Sequence, residues 1–277
     1  MSIPSIPLAG VIGHPIAHSK SPRLHGHWLK RYGIPGHYIP MEVASNDLAH
    51  VLNILPKAGF RGVNVTIPHK EAVLDIADVI SDRAALIGAA NTLTFQSDGK
   101  LHADNTDGIG FIANLKHNAP DWDPAAGPAM VLGAGGASRA IVAALLHERV
   151  PAILLANRTR ARADALKAHF GGKIEVIDWN NVPQRMEEAA TLINTTSLGM
   201  AGKEELKLPL DGLQASTLVT DIVYTPLTTN LLATAHERGC PIVDGLGMLL
   251  HQAVPGFERW FGMTPDVDED LRQVMLR

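Results

Sequence analysis

The chain has 277 residues, 46% of them hydrophobic and 19% charged, which is enough for two domains of ordinary size, each with its own core. A net charge of −4 leaves no electrostatic footprint for nucleic acid or an anionic membrane, and 5% aromatic content gives little material for stacking on single strands. Cys240 is the only cysteine, so no intrachain disulfide is expected and no oxidising compartment is implied. The N-terminus has no charged segment followed by a long apolar one, and no uncharged apolar stretch is long enough to span a bilayer, so the expected location is cytoplasmic.

Short β-like runs alternate with longer helical patterns from end to end, which predicts an α/β fold. In the first hundred residues, strands are expected at Leu8–Ile12, Gly36–Glu42 and Gly62–Val65, with helices at Pro22–Tyr32, Asp47–Leu55 and Lys70–Ile80. A hairpin follows, Thr92–Gln96 and Lys100–Ala103 around a Ser97-Asp98-Gly99 turn. A helix from Thr106 to about Lys116 leads into the Pro- and Asp-rich stretch Asn118–Pro128, read as a loop. Beyond it lie strands at Met130–Leu132, Ile153–Ala156, Lys173–Ile177, Thr191–Asn194, Thr217–Asp221 and Pro241–Val243. The segments Gly247–Phe261 and Asp266–Leu276 are helical. There is no internal repeat. Two domains of comparable size are expected, the cofactor domain second.

The run Met130-Val131-Leu132-Gly133-Ala134-Gly135-Gly136-Ala137-Ser138 carries an apolar strand into a glycine-dense turn and on into an alanine-rich helix. That context suits a pyrophosphate held at a helix N-terminus: Gly133 permits the tight turn, and Gly135 and Gly136 let the backbone approach. Ser138 stands where the usual fingerprint has its third glycine, and an ordinary strand-to-helix turn competes on the glycines alone. The next strand ends in Asn157-Arg158-Thr159-Arg160-Ala161-Arg162. NAD sites carry an acidic residue near here; an amide, a hydroxyl and guanidinium groups suit a 2′-phosphate instead, so NADP is the expected cofactor. At least one of the three arginines belongs to a solvated helix face.

Four polar clusters stand where strands end, the place where ligands gather in open parallel sheets. His18-Ser19-Lys20-Ser21-Pro22 offers two hydroxyls at alternate positions, though Ser21 ahead of Pro22 also reads as a helix cap. In Asn64-Val65-Thr66-Ile67-Pro68-His69-Lys70-Glu71, Lys70 falls in the first turn of the expected helix, where the dipole disfavours a cation. A proton shuttle to a ligand oxygen and a surface pair with Glu71 or Asp75 both account for it. Asn91 opens a strand, and Asp107 in Asp104-Asn105-Thr106-Asp107-Gly108 reads equally as a cap or a ligand-facing carboxylate. His14, His18, His25 and His27 lack any metal-ligand spacing, so no metal is expected, and no Gly-x-Ser-x-Gly elbow points to a hydrolase.

Taken in order, these segments resemble the shikimate dehydrogenase family over nearly the whole chain. The match continues through Gly88-Ala89-Ala90-Asn91-Thr92, Asn194-Thr195-Thr196-Ser197-Leu198-Gly199-Met200, Asp221-Ile222-Val223-Tyr224 and Gly247-Met248-Leu249-Leu250-His251-Gln252. The resemblance implies an N-terminal α/β substrate domain over residues 1–106, completed by helices at 252–277. A doubly wound parallel-sheet Rossmann domain for NADP would span residues 107–251. It implies reversible NADP-dependent reduction of 3-dehydroshikimate to shikimate, within aromatic amino-acid biosynthesis. Ser19 and Ser21 would hold the substrate carboxylate with Tyr224, and Thr66, Asn91, Asp107 and Gln252 the ring hydroxyls. Lys70 would be the acid/base group, with Asp107 as its partner. Gly133, Ala134, Gly135, Gly136 and Ala137 would face the pyrophosphate, Asn157, Arg158, Thr159 and Arg162 the 2′-phosphate, and Met200 and Gly245 the nicotinamide.

The sequence departs from the family pattern at Gly26, where an Asn is common, and at His69, a position often held by Phe or Tyr. Three rival readings differ in particular residues. A quinate-accepting relative using NAD would place an acidic residue near Asn157-Arg158-Thr159, and a silent NADP-binding regulator would lack Lys70 or Asp107. A folate-type dehydrogenase would lack the paired serines and Asn91. The expected partner is a small-molecule substrate, with neither nucleic acid nor membrane, on a monomer or homodimer.

Overall fold

The computed structural model describes residues 6–277; residues 1–5, on which the expected lack of a leader partly rests, lie outside the described residues. The chain divides into two compact units, Met1–Thr106 with Leu250–Arg277, and Asp107–Leu249.

The first unit is built on a six-stranded mixed sheet in the order β2-β1-β3-β5-β6-β4. Its strands are β1 (Leu8–Gly13), β2 (His37–Glu42), β3 (Phe60–Val65), β4 (Val79–Ile80), β5 (Thr92–Phe95) and β6 (Leu101–Asp104). Strands β1, β2 and β3 run parallel, and β5 and β6 are antiparallel as the hairpin reading required. Around the sheet lie α1 (Ser21–Arg31), α2 (Leu48–Ile54) and α3 (Asp82–Ile87). Alternation along β3 sends Val63 and Val65 into an aliphatic core with Ile12, Leu48, Leu52 and Leu93, while Asn64 points the other way. There a second core forms from Trp28, Tyr38, Phe257 and Trp260, with His25 stacked flat on Tyr38 at 3.9 Å between ring centroids. Burial pushes the His25 imidazole down to about 3, so this histidine is neutral core packing. His14 and His27 pair instead with Glu42 and Asp270.

One expected element does not form. The stretch Lys70–Ile80 is not a helix: it holds a 3₁₀ turn at Ala72–Leu74 and then β4, which pairs with β6. Asp78 donates its amide to Leu101. Pairing to the hairpin outweighs the helical spacing of Val73, Leu74 and Ala77. The helix α3, which the sequence reading left unassigned, is capped by Ser81, whose Oγ accepts from the Ala84 amide at 3.2 Å.

The second unit is a parallel sheet in the order β12-β11-β10-β7-β8-β9, with reversal between β7 and β10. Its strands are β7 (Ala129–Leu132), β8 (Ile153–Ala156), β9 (Ile174–Ile177), β10 (Thr191–Asn194), β11 (Leu218–Asp221) and β12 (Ile242–Val243). The helices are α4 (Asp107–Asn118), α5 (Gly136–His147), α6 (Arg160–Phe170), the short α7 (Val182–Arg185) and α8 (Asn230–Glu237). Ala129 and Val131 of β7 enter one core and Met130 and Leu132 the other, so the strand is apolar throughout because both its faces are covered. The chain ends in α9 (Leu246–Phe261) and α10 (Glu269–Leu276).

Candidate active site

In the first unit, β1 and β3 end at one edge of the sheet, and the antiparallel β5 begins and β6 ends at that same edge. Topology therefore brings Ser19, Ser21, Thr66, Lys70 and Asn91 from distant parts of the chain to one rim. Gly13 is a glycine for a local reason: a Cβ there would come within 2.5 Å of the Thr66 methyl. The Thr66 amide donates to the Ile12 carbonyl at 2.9 Å, which fixes the two strand ends together.

Ser21 does not cap α1. The helix begins at Ser21 itself with Lys20 in the cap position and no side-chain cap; instead Ser19 Oγ accepts from the Ser21 amide at 3.3 Å. Tyr38, on the neighbouring strand β2, is buried, which pushes its phenol up. Because no helix starts at Pro68, the dipole argument for Lys70 falls away. Tertiary bonds hold the lysine instead: the Ala90 amide donates to the Lys70 carbonyl at 2.8 Å.

Asn91 is the centre of a buried relay. Tyr38 donates its hydroxyl to Asn64 Oδ1 at 2.7 Å, and Asn64 Nδ2 donates to the Asn91 carbonyl at 3.1 Å and to Thr92 Oγ1 at 3.2 Å. Thr92 then donates to Asn91 Oδ1 at 2.9 Å. From Asn91, Nδ2 reaches Thr106 Oγ1 at 3.0 Å and Gln252 Oε1 at 3.1 Å, while Thr106 donates to the Gln252 carbonyl at 2.8 Å. Asn91 and Gln252, expected to share a ligand, thus share a hydrogen bond.

In the second unit, the loops that follow β7, β8 and β10 line a cavity of about 800 Å³. It sits at the strand-order reversal, as the ligand site of a doubly wound sheet does. Gly133 has φ +111° and a Cβ there would lie 2.6 Å from Thr195 Oγ1, so only glycine fits. Cβ atoms at Gly135 and Gly136 would meet nothing within 4 Å, and no side chain caps α5, which leaves its amides facing open space. That cradle fits the diphosphate of a dinucleotide. Ser138, in place of the third glycine, donates its hydroxyl to the Gly133 carbonyl at 2.7 Å and latches the loop from beneath.

Asn157 spans two loops: its Oδ1 accepts from the Ala134 amide at 3.1 Å and its Nδ2 donates to the Thr159 carbonyl at 2.8 Å. Arg158 and Arg162 line the cavity, whereas Arg160 pairs with Asp164 and Asp178 and is the solvated arginine. Thr159 immediately precedes α6 and is exposed, and Ala137 lies in the first turn of α5. Met200 is exposed and does not line the cavity. Gly245 is a glycine because a Cβ there would meet the Ile222 carbonyl oxygen at 2.4 Å. Asp107 is buried and opens α4. Burial pushes the Tyr224 phenol up. Burial also raises the Asp221 carboxyl, against hydrogen bonds from the Val223 amide, Asn194 and Thr229 that make it a structural hub.

Three family sequence profiles match the chain: "Shikimate dehydrogenase substrate binding domain" over residues 11–93, "Shikimate / quinate 5-dehydrogenase" over 118–222 and "Shikimate 5′-dehydrogenase C-terminal domain" over 245–275. A protein of Cereibacter sphaeroides named shikimate dehydrogenase (NADP(+)) is 65% identical over 98% of this chain and 97% of its own. The chain belongs to the shikimate dehydrogenase family. Its backbone is similar to that of shikimate 5-dehydrogenase from Thermus thermophilus, solved in complex with NADP(H) and shikimate. The TM-score is 0.88 and the identity 36%, covering 98% of this chain and 99% of that one. Quinate dehydrogenase from Corynebacterium glutamicum, solved with NAD, is similar at a TM-score of 0.91 and 29% identity, covering 98% and 99%.

Of the two departures from the family pattern, Gly26 lies on the outer face of α1, where a Cβ would meet nothing within 4 Å, so its missing side chain takes nothing from the rim. His69 is buried beside Lys70. The sequence reading assigned no role to Tyr38, Asn64 or Thr106, nor to Trp179, Glu204 and Lys207 on the cavity wall. Asn64, a polar residue in the apolar β3, was the legible signal among these; the rest lie on elements whose pairing no local pattern reveals.

Proposed function

We propose that this chain is a shikimate dehydrogenase that catalyses the reversible NADP-dependent interconversion of 3-dehydroshikimate and shikimate, in the shikimate pathway of aromatic amino-acid biosynthesis. The observation that carries the reading is the gathering of Ser19, Ser21, Thr66, Lys70 and Asn91 on one rim of the first sheet. The first unit takes the substrate: the serine hydroxyls donate to its carboxylate, and Thr66, Asn91 and Gln252 bind ring hydroxyls. Asp107 and Tyr224 belong to the second unit. The second unit takes NADP, with the α5 amides and the Gly133–Gly136 loop at the diphosphate and Arg158 and Arg162 at the 2′-phosphate. NADP, when bound, supplies the hydride acceptor or, reduced, the hydride donor. Lys70 removes the proton from the reacting hydroxyl during oxidation and returns it to the developing alkoxide during reduction, where an ammonium both stabilises and protonates the oxygen. The Asn91–Gln252 pair presents its amides already oriented, so little ordering remains when a polyol arrives. The chain works without nucleic acid or membrane, in the cytoplasm; among the described residues no helix is long and apolar enough to cross a membrane.

The test is Lys70→Ala, assayed for turnover and, separately, for NADP binding by fluorescence titration. Loss of general acid–base catalysis lowers kcat by about 10²–10⁴-fold with cofactor affinity retained. Equal loss of cofactor affinity, or full turnover, removes Lys70 from this role.

A further inference from the structure

We propose that His69 is a positioning residue for Lys70, fastening the lysine's loop to the end of β2 through the carbonyl of Val43. The inference rests on the reading of Lys70 as the acid/base group. His69 is 1% exposed and its Nε2 lies 2.7 Å from the Val43 oxygen. A carbonyl oxygen only accepts, so Nε2 carries the hydrogen and donates it. Val43 is itself held, its amide donating to the Gly13 carbonyl at 3.2 Å at the end of β1.

The segment from Thr66 to Glu71 lies in neither a helix nor a strand. Main-chain bonds hold it along its length: the Thr66 amide donates to Ile12, the His14 amide to Ile67, the His69 amide to Thr66, the Val73 amide to His69, the Leu74 amide to Glu71 and the Ala90 amide to Lys70. These survive any side-chain substitution. Between Thr66 and Val73, His69 is the only buried residue, while Ile67 is 67% exposed and Pro68, Glu71 and Ala72 face solvent. The lysine is therefore clamped on one side by Ala90, next to Asn91, and on the other by the imidazole. A phenyl ring at position 69 fills similar space but gives Val43 no donor, which frees the β2 side of the clamp. A catalytic group displaced by about 1 Å costs on the order of 10²-fold in rate.

The experiment compares the full-length wild type with His69→Phe, His69→Gln and Lys70→Ala in steady-state shikimate oxidation with NADP, each rate normalised to folded protein from its thermal melt. His69→Phe is expected to lower kcat by about 10–10²-fold with KM for NADP unchanged. His69→Gln, whose amide reaches like Nε2, is expected to restore most of that loss. Wild-type kcat in His69→Phe overturns the proposal. So does His69→Gln as slow as His69→Phe while melting at the wild-type temperature. Full activity in Lys70→Ala would instead overturn the reading of Lys70, and the role of His69 with it. An inactive Lys70→Ala beside a fully active His69→Phe removes the role of His69 alone.

Discussion

Asp104 is the residue whose removal should most disturb the first unit. Its Oδ1 accepts from Ser81 Oγ at 2.6 Å and Arg83 Nε at 2.7 Å; its Oδ2 accepts from Arg83 Nη2 and Arg259 Nη2, each at 2.6 Å. The residue is 5% exposed. One carboxylate thus ties β6 to the cap of α3 and to α9, and the Asp104 carbonyl accepts from the Asn91 amide at 3.0 Å. Burial alone would raise its pKa. Hydrogen bonds from Arg83, Ser81 and Arg259 outweigh that and hold the carboxyl well below the ordinary carboxylate range. In Asp104→Asn the charge is lost, and an NH₂ group must face guanidinium N–H donors.

Breaking a buried ion pair costs about 3–5 kcal/mol. Arg83 and Arg259 are 44% and 35% exposed and rehydrate when released, so the lower end applies, about 3 kcal/mol. At about 2–4 °C per kcal/mol for chains of this size, the melting temperature should fall by about 6–12 °C at pH 7. A folded-state value below the unfolded one contributes stability above the unfolded pKa, lost as pH falls through the folded value. Urea or thermal unfolding of both proteins from pH 8 down to pH 3 should therefore give a constant gap above about pH 5 that narrows below about pH 4. A gap under 1 kcal/mol at pH 7, or one that stays constant into acid, refutes the reasoning.

Two other substitutions probe the cofactor cavity and α1. Arg158→Ala should weaken NADP relative to NAD by about 10–10²-fold, the loss of one charge-assisted hydrogen bond set, measured as the ratio of kcat/KM for the two cofactors. An unchanged ratio moves the 2′-phosphate contact elsewhere on the cavity wall. Gly26→Ala places a methyl in open space in the middle of α1 and should stabilise the protein by about 0.5–1 kcal/mol without changing turnover. A lower melting temperature would contradict the assigned exposure of that helix face.

Much of this was legible in the chain. The second unit's strands are continuous apolar runs because both faces of the sheet are covered, and the glycine turn after β7 together with the basic cluster after β8 marks the ligand edge. The hairpin β5–β6 is announced by Ser97-Asp98-Gly99. Where the reading failed, tertiary pairing outweighed local pattern. Val73, Leu74 and Ala77 have helical spacing, yet Asp78, Val79 and Ile80 are taken up by β6, leaving one 3₁₀ turn. Ser21 looked like a cap until Ser19 proved to bond the Ser21 amide. Asn157, expected at the 2′-phosphate, lines the cavity, and its amide also bridges two loops; that bridging depends on β7 and β8 being neighbours, which no local window contains. Ser138 illustrates the opposite case: a departure from the glycine pattern that the fold absorbs through a single hydroxyl.

The central claim, an NADP-dependent shikimate dehydrogenase, is tested most directly by initial rates of reduced-nicotinamide formation with shikimate and with quinate, each with NADP and with NAD. The account predicts a rate confined largely to shikimate with NADP. Comparable rates with quinate or NAD, or no rate in any mixture while NADP still binds, would contradict it.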